Sequence, residues 1–148
     1  MDQQEIADRL EIINLEGEYG PRWDSGDAQG WAALFAEDGV FEMVAAGDMP
    51  ASEFRGRQAL ARFCEDVTVH YRGLHILGVP SLQIGGDRAR GRTHFHWVGF
   101  GNSGGDRHIQ RQTSGYCEVD YVRTADGWRM AHRREKPTST MIGQTYGM

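Results

Sequence analysis

Asp24 and His75 are the two residues whose types and settings could carry acid–base chemistry. Asp24 lies in Tyr19-Gly20-Pro21-Arg22-Trp23-Asp24-Ser25-Gly26-Asp27, where Asp27 has a ready task as the N-cap of a following helix and Asp24 has none. It reads either as a turn aspartate or as a carboxylate that a helix end points inward beside Trp23. His75 lies in Gly73-Leu74-His75-Ile76-Leu77-Gly78, a mostly apolar run in which a permanently charged side chain would be costly. An imidazole, with an ordinary pKa of ~6.5, can be neutral there and still exchange a proton near neutrality. A carboxylate on one ring nitrogen would fix the tautomer and leave the other for a substrate; without one, His75 is a structural histidine.

Other patterns carry less. His94-x-His96 could set two imidazoles on one strand face around a metal ion. That face also holds Arg88, Arg90 and Arg92, whereas Ala89, Gly91, Thr93, Phe95 and Trp97 form the set suited to packing or to a ligand. Only a β-bulge between Arg92 and His94 would reverse the parity, so no metal site is expected. Gly99-Phe100-Gly101-Asn102-Ser103-Gly104 has the form of a dinucleotide fingerprint, yet a strand-like segment follows it and leaves no helix N-terminus for a pyrophosphate. It reads as a hairpin loop. The chain has neither G-x-S-x-G nor G-K-[ST], the usual carriers of serine hydrolysis and nucleotide hydrolysis. Cys64 and Cys117 have no C-x-x-C partner and read as buried small hydrophobes, which suits a reducing cytoplasm.

The 148 residues include 16 basic and 21 acidic side chains, a formal net charge of −5, and no Lys/Arg run. The electrostatic footprint of nucleic-acid or anionic-membrane binding is therefore missing, and a small molecule is the expected partner. No apolar stretch approaches the ~20 residues of a membrane span, and the polar start Met1-Asp2-Gln3-Gln4-Glu5 is unlike a secretory signal. One domain over 1–148 is expected. The 20 glycines, about twice the usual share of ~7%, point to many turns.

These turns separate two kinds of element. Asp2 with Glu5 can cap a first helix whose Ile6, Leu10 and Ile13 share a face, running to about Glu18 and interrupted at Gly20-Pro21. Asp27 can cap a second helix carrying Trp31, Leu34 and Phe35, ended by Asp38-Gly39, with a short strand over 40–44. Gly56 opens a third helix with Leu60, Phe63, Cys64 and Val67 on one side. Residues 74–84, 88–100, 109–122 and 127–136 then read as strands joined by turn-forming Gly85-Gly86-Asp87, Asn102-Ser103-Gly104-Gly105-Asp106 and Thr124-Ala125-Asp126-Gly127. Helices first and a strand meander after them make an α+β fold whose sheet, curved around the helices, can enclose a mostly apolar pocket.

At Trp23-Asp24-Ser25-Gly26-Asp27, Met49-Pro50-Ala51-Ser52-Glu53-Phe54, His75-Ile76-Leu77-Gly78, Asp126-Gly127-Trp128-Arg129-Met130 and Lys136-Pro137, the chain resembles the SnoaL-like part of the nuclear-transport-factor-2-like (NTF2-like) superfamily, and within it scytalone dehydratase and related lyases. The resemblance implies a cone-shaped α+β barrel with an Asp–His pair in its interior, falling here on Asp24 and His75. It implies that His75 removes a proton next to a carbonyl while Asp24 orients it, with no cofactor, in a homo-oligomer, dimer or trimer. A dehydratase-type lyase, an isomerase or polyketide-type cyclase, and a non-catalytic small-molecule binder all fit that fold. Where the dehydratase has two tyrosines this chain has Trp23 and Met43, and its second histidine falls on Thr93, or on His94 after a one-residue slip. Its serine and asparagine on the following strand fall near Tyr116 and Glu118. Substrate contacts are expected from Tyr19, Trp23, Met43, Phe54, Thr93, Trp97 and Tyr116, and the tail carrying Met141, Ile142, Tyr146 and Met148 either covers the pocket mouth or frays.

Overall fold

In the computed structural model, which describes residues 1–47, 49–101 and 109–144, three helices lie along one face of a curved, mixed sheet. The helices are α1 (Gln3–Asp24), α2 (Ala28–Ala32) and α3 (Arg57–Thr68). The strands are β1 (Phe35–Met43), β2 (Ser52–Arg55), β3 (Tyr71–Leu77), β4 (Ser81–Gly85), β5 (Arg88–Gly101), β6 (Ile109–Thr124) and β7 (Gly127–Gln144). The sheet runs β2-β1-β7-β6-β5-β3, with β4 continuing the β3 edge along β5; among the described strands only β1 and β7 pair in parallel. The sheet does not close, and its concave face holds the helices and the core, the cone-like α+β arrangement expected from the sequence. No helix among the described residues is long and apolar enough to cross a membrane.

Local chemistry explains most of these elements. Asp2 caps α1 by accepting from Glu5 N at 2.8 Å, and Asp27 caps α2 by accepting from Gly30 N at 2.9 Å. The Gly85-to-Asp87 and Thr124-to-Gly127 turns close their hairpins as expected; the hairpin loop at 102–106 lies outside the described residues, as do Tyr146 and Met148.

Three expectations about the helices need correction. Helix α1 does not stop at Gly20-Pro21 but continues through Pro21 to Asp24. Proline removes one N–H from the ladder, but Tyr19, Gly20 and Trp23 on both sides of it are buried, so packing holds the last turn. The face bearing Ile6, Leu10 and Ile13 is not the packed one: these are 46%, 58% and 36% exposed, while Asp8, Ile12, Leu15, Glu16, Tyr19 and Trp23 face the sheet. Two acids can be inward because each is paired: Asp8 accepts two 2.8 Å bonds from Arg123 and one from Trp128 Nε1, and Glu16 accepts from Arg133 and Tyr121. Lastly, Leu34 and Phe35 are not helical. Phe35 begins β1 opposite Met130, whose N–H donates to Leu34 O at 2.9 Å, and this ladder buries Phe35 completely.

The run read as one strand over 74–84 is two, β3 and β4, broken at Gly78-Val79-Pro80. Thr93 pins that break, its hydroxyl donating to Gly78 O at 2.7 Å. In β7 a register shift between the pairs Asp120↔His132 and Tyr121↔Met130 inserts Ala131 as an extra residue. The bulge moves the inward set from Trp128 and Met130 to Arg133 and Glu135, so two charged side chains enter the interior.

Candidate active site

The last turn of α1 and the middle of β3 meet because Gly20 has no side chain: a Cβ there would stand 3.0 Å from His75 Cβ. One turn further along, the Asp24 carboxylate reaches β3 with both oxygens. Oδ2 accepts the backbone N–H of His75 at 2.8 Å and Oδ1 meets ring Nδ1 at 2.8 Å. An ionised carboxylate only accepts, so Nδ1 carries the proton and Nε2 is left with its lone pair. Beyond the C-cap Ser25 the chain turns at Gly26, whose φ of 76° suits only glycine without strain, and Arg72 donates to Asp24 O at 3.4 Å, placing a cation at the helix C-terminus.

His75 lines a cavity of about 320 Å³ between the helices and the sheet. Its wall is mostly apolar: Trp23 from α1, Phe63 and Val67 from α3, Phe41 and Met43 from β1, and Phe95 and Trp97 from β5, with Met49 and Pro50 from the segment before β2. Tyr19, Trp23 and Trp97 pack on the imidazole with ring centroids 5.5, 5.7 and 6.3 Å away, which holds its plane and keeps water from its faces. Of the wall's polar groups, the Ser52 and Thr113 hydroxyls have no hydrogen-bond partner among the described residues and can donate to a carbonyl oxygen.

Of the residues expected to touch a ligand, Tyr19, Trp23, Met43 and Trp97 stand on this wall and three do not. Phe54 stacks behind it on Phe63, centroids 4.1 Å apart. Thr93 is buried and committed to the β3–β4 break. Tyr116 pairs with His94 and lies on the opposite face of the sheet, under Arg92 and beside Lys136. His94 is exposed, and His96 is tied to Ser114 at 2.5 Å. Among the described residues no three His, Cys, Asp or Glu side chains gather as metal ligands. Both cysteines are free and buried, and burial pushes the Cys64 thiol up to about 12 and raises that of Cys117 as well, so neither supplies a thiolate.

Sequence reasoning missed Glu135, a polar cavity group on β7. Its Oε1 accepts from the Tyr19 hydroxyl at 3.1 Å and lies 3.6 Å from Arg133 Nε; Arg133 is fully buried and donates to both oxygens of Glu16 at 2.9 Å. Burial opposes the charge on Arg133, but the surrounding acidic groups outweigh it and hold its pKa above the ordinary value. Burial and the adjacent Glu135 raise the Tyr19 phenol well above its usual value, so Tyr19 stays neutral. Strict alternation along β7 would turn Glu135 outward; only the bulge at Ala131 brings it in.

A family model described as a SnoaL-like domain matches residues 4–134. An uncharacterised protein of Mycobacterium tuberculosis is 30% identical over 132 residues, 88% of this chain and 86% of its own length. An NTF2-like protein with a cystatin-like fold from Novosphingobium aromaticivorans superposes with a TM-score of 0.68 at 27% identity, covering 92% of this chain and 85% of the other. A protein from the same organism assigned as a scytalone dehydratase gives a TM-score of 0.80 at 17% identity over 99% and 95% of the two chains, a likeness of fold.

Proposed function

The chain belongs to the SnoaL-like domain family, and from that premise we propose that it is a cofactor-independent lyase of the dehydratase type. Its substrate is a small, largely apolar hydroxy-carbonyl compound, cyclic and aromatic ones included. The observation that carries this reading is the doubly bonded Asp24–His75 pair at the wall of an apolar cavity. His75 Nε2 takes a proton from the carbon next to the carbonyl, and the C–H electron pair becomes the enolate. As the enolate collapses to the conjugated carbonyl, the C–O bond to the β-hydroxyl breaks and the leaving oxygen takes the proton back from His75, departing as water. Asp24 stabilises the imidazolium between the two transfers, and the Ser52 or Thr113 hydroxyl donates to the enolate oxygen. An isomerase would return the same proton to another carbon, and a cyclase would turn the enolate on a second carbonyl.

A non-catalytic binder needs the cavity but not a tautomer-fixed imidazole. Screening of hydroxy-carbonyl compounds for water loss, followed by His75→Ala on the compound that reacts, separates the two. Turnover is expected to fall ~10²–10⁴-fold with affinity little changed; undiminished turnover in the variant removes His75 from the mechanism.

A further inference from the structure

Glu135 sits at the other end of Tyr19 from His75. The Tyr19 ring packs edge-on against the imidazole, and its hydroxyl donates to Glu135 Oε1. Oε1 also lies 3.8 Å from Cys117 Sγ and 3.6 Å from Arg133 Nε, so this oxygen is engaged. Oε2 has no hydrogen-bond partner among the described residues, although Glu135 is only 4% exposed and lines the cavity. A carboxylate oxygen without a donor in a mostly apolar wall is unfavourable.

The charge balance has a sign. Glu16 and Glu135 share the single guanidinium of Arg133, whose Nη1 donates to both oxygens of Glu16 while Nε, 3.6 Å from Glu135 Oε1, and Nη2 have no hydrogen-bond partner among the described residues. Tyr19, Tyr121 and Cys117 stay neutral because burial raises their pKa values. Two carboxylates thus face one guanidinium in the cluster behind the wall, and the partnerless oxygen belongs to a residue that lines the cavity.

We infer that Glu135 is a specificity-determining residue: it accepts a hydrogen bond from a hydroxyl or amine on the ligand and excludes ligands that present a carboxylate. The inference rests on the reading of this cavity as the substrate site. A ligand donor placed on Oε2 supplies the missing hydrogen bond, whereas a ligand carboxylate meets a like charge in an environment with little water to screen it. With its donor on Glu135 and its acidic C–H at His75 Nε2, a substrate lies along Tyr19 in one orientation.

The test is calorimetric titration of the full-length protein with 2-naphthol and 2-naphthoate, which share a ring system and differ in presenting a donor or an anion at neutral pH. Wild type is expected to bind the naphthol about tenfold or more tightly than the naphthoate, and Glu135→Gln to reduce that preference to about twofold. Equal or tighter binding of the naphthoate by wild type overturns the inference whether or not the variant folds, as does an absence of binding by either probe. A folded Glu135→Gln variant that retains the full preference overturns it too. Because the preference is read without turnover, a failure of the proton-abstraction mechanism leaves it standing: His75→Ala keeps the naphthol preference even where it abolishes dehydration.

Discussion

Three acids of helix α1 meet basic side chains of the sheet, Asp8, Glu16 and Asp24, eight residues or about 12 Å apart along the axis. Asp8 meets Arg123, Glu16 meets Arg133 and Asp24 meets His75, each at 2.8–2.9 Å. The middle pair is sealed, with side chains 0% and 3% exposed, whereas the Asp24–His75 pair borders a cavity. The difference in base decides what each can do. A guanidinium keeps its proton at any physiological pH, so the first two pairs can only hold the helix in place. A neutral imidazole keeps a ring nitrogen with a lone pair that can take a proton, so the third pair can hold the helix and also do chemistry.

Breaking the middle pair is expected to have the largest effect. Arg133→Met leaves Glu16 and Glu135 buried without a counter-charge, and the loss of unfolding free energy in urea is expected to be about 3–5 kcal/mol. A loss under about 1 kcal/mol would mean that the carboxylates reach water or take up protons at little cost. Asp24→Asn is expected to divide the effects the other way: stability nearly unchanged, and turnover reduced by roughly tenfold to a hundredfold because the imidazolium loses its charge partner. Rates equal to wild type over roughly pH 5–9 would make the third pair as purely structural as the other two.

The smallest effect is at the outer pair and shows in pH dependence. Hydrogen bonds from Arg123 hold the Asp8 carboxyl well below the usual carboxylate range, against the opposing effect of burial. A depressed folded-state pKa gives stability that is complete above the unfolded value of ~3.9 and is lost as pH falls below it. Denaturation below about pH 4 should therefore be shallower in Asp8→Asn than in wild type, with the two alike in slope near neutrality. Parallel curves through the acid range would mean that Arg123 contributes nothing specific to Asp8.

Several of these features are legible from residue types alone. Asp2 and Asp27 cap helices because a short acceptor stands before a periodic segment, and the inward set of Thr93, Phe95 and Trp97 follows from period two on a strand without a bulge. Tyr116 illustrates the limit: its neighbour Cys117 is the inward residue, and an aromatic on the outer face under Arg92 reads no differently in sequence from one in a pocket. The exposed Ile6, Leu10 and Ile13 mislead for a related reason. Apolar spacing marks a packed face only when the opposite face is worse to bury, and Asp8 and Glu16 are made buriable by arginines more than a hundred residues away.

By itself the sequence determined most element types and the turns between them, because propensity, capping and periodicity act over a few neighbours, and its resemblance to the SnoaL-like family implied Asp24 and His75 as a pair. The tertiary structure decided the rest. It set the 2.8 Å contacts of Asp24 with His75 through the close approach at Gly20, and through one extra residue at Ala131 it turned Glu135 toward the cavity. Both depend on register between strands and helices distant in the chain, and a shift of one residue reverses every side chain beyond it.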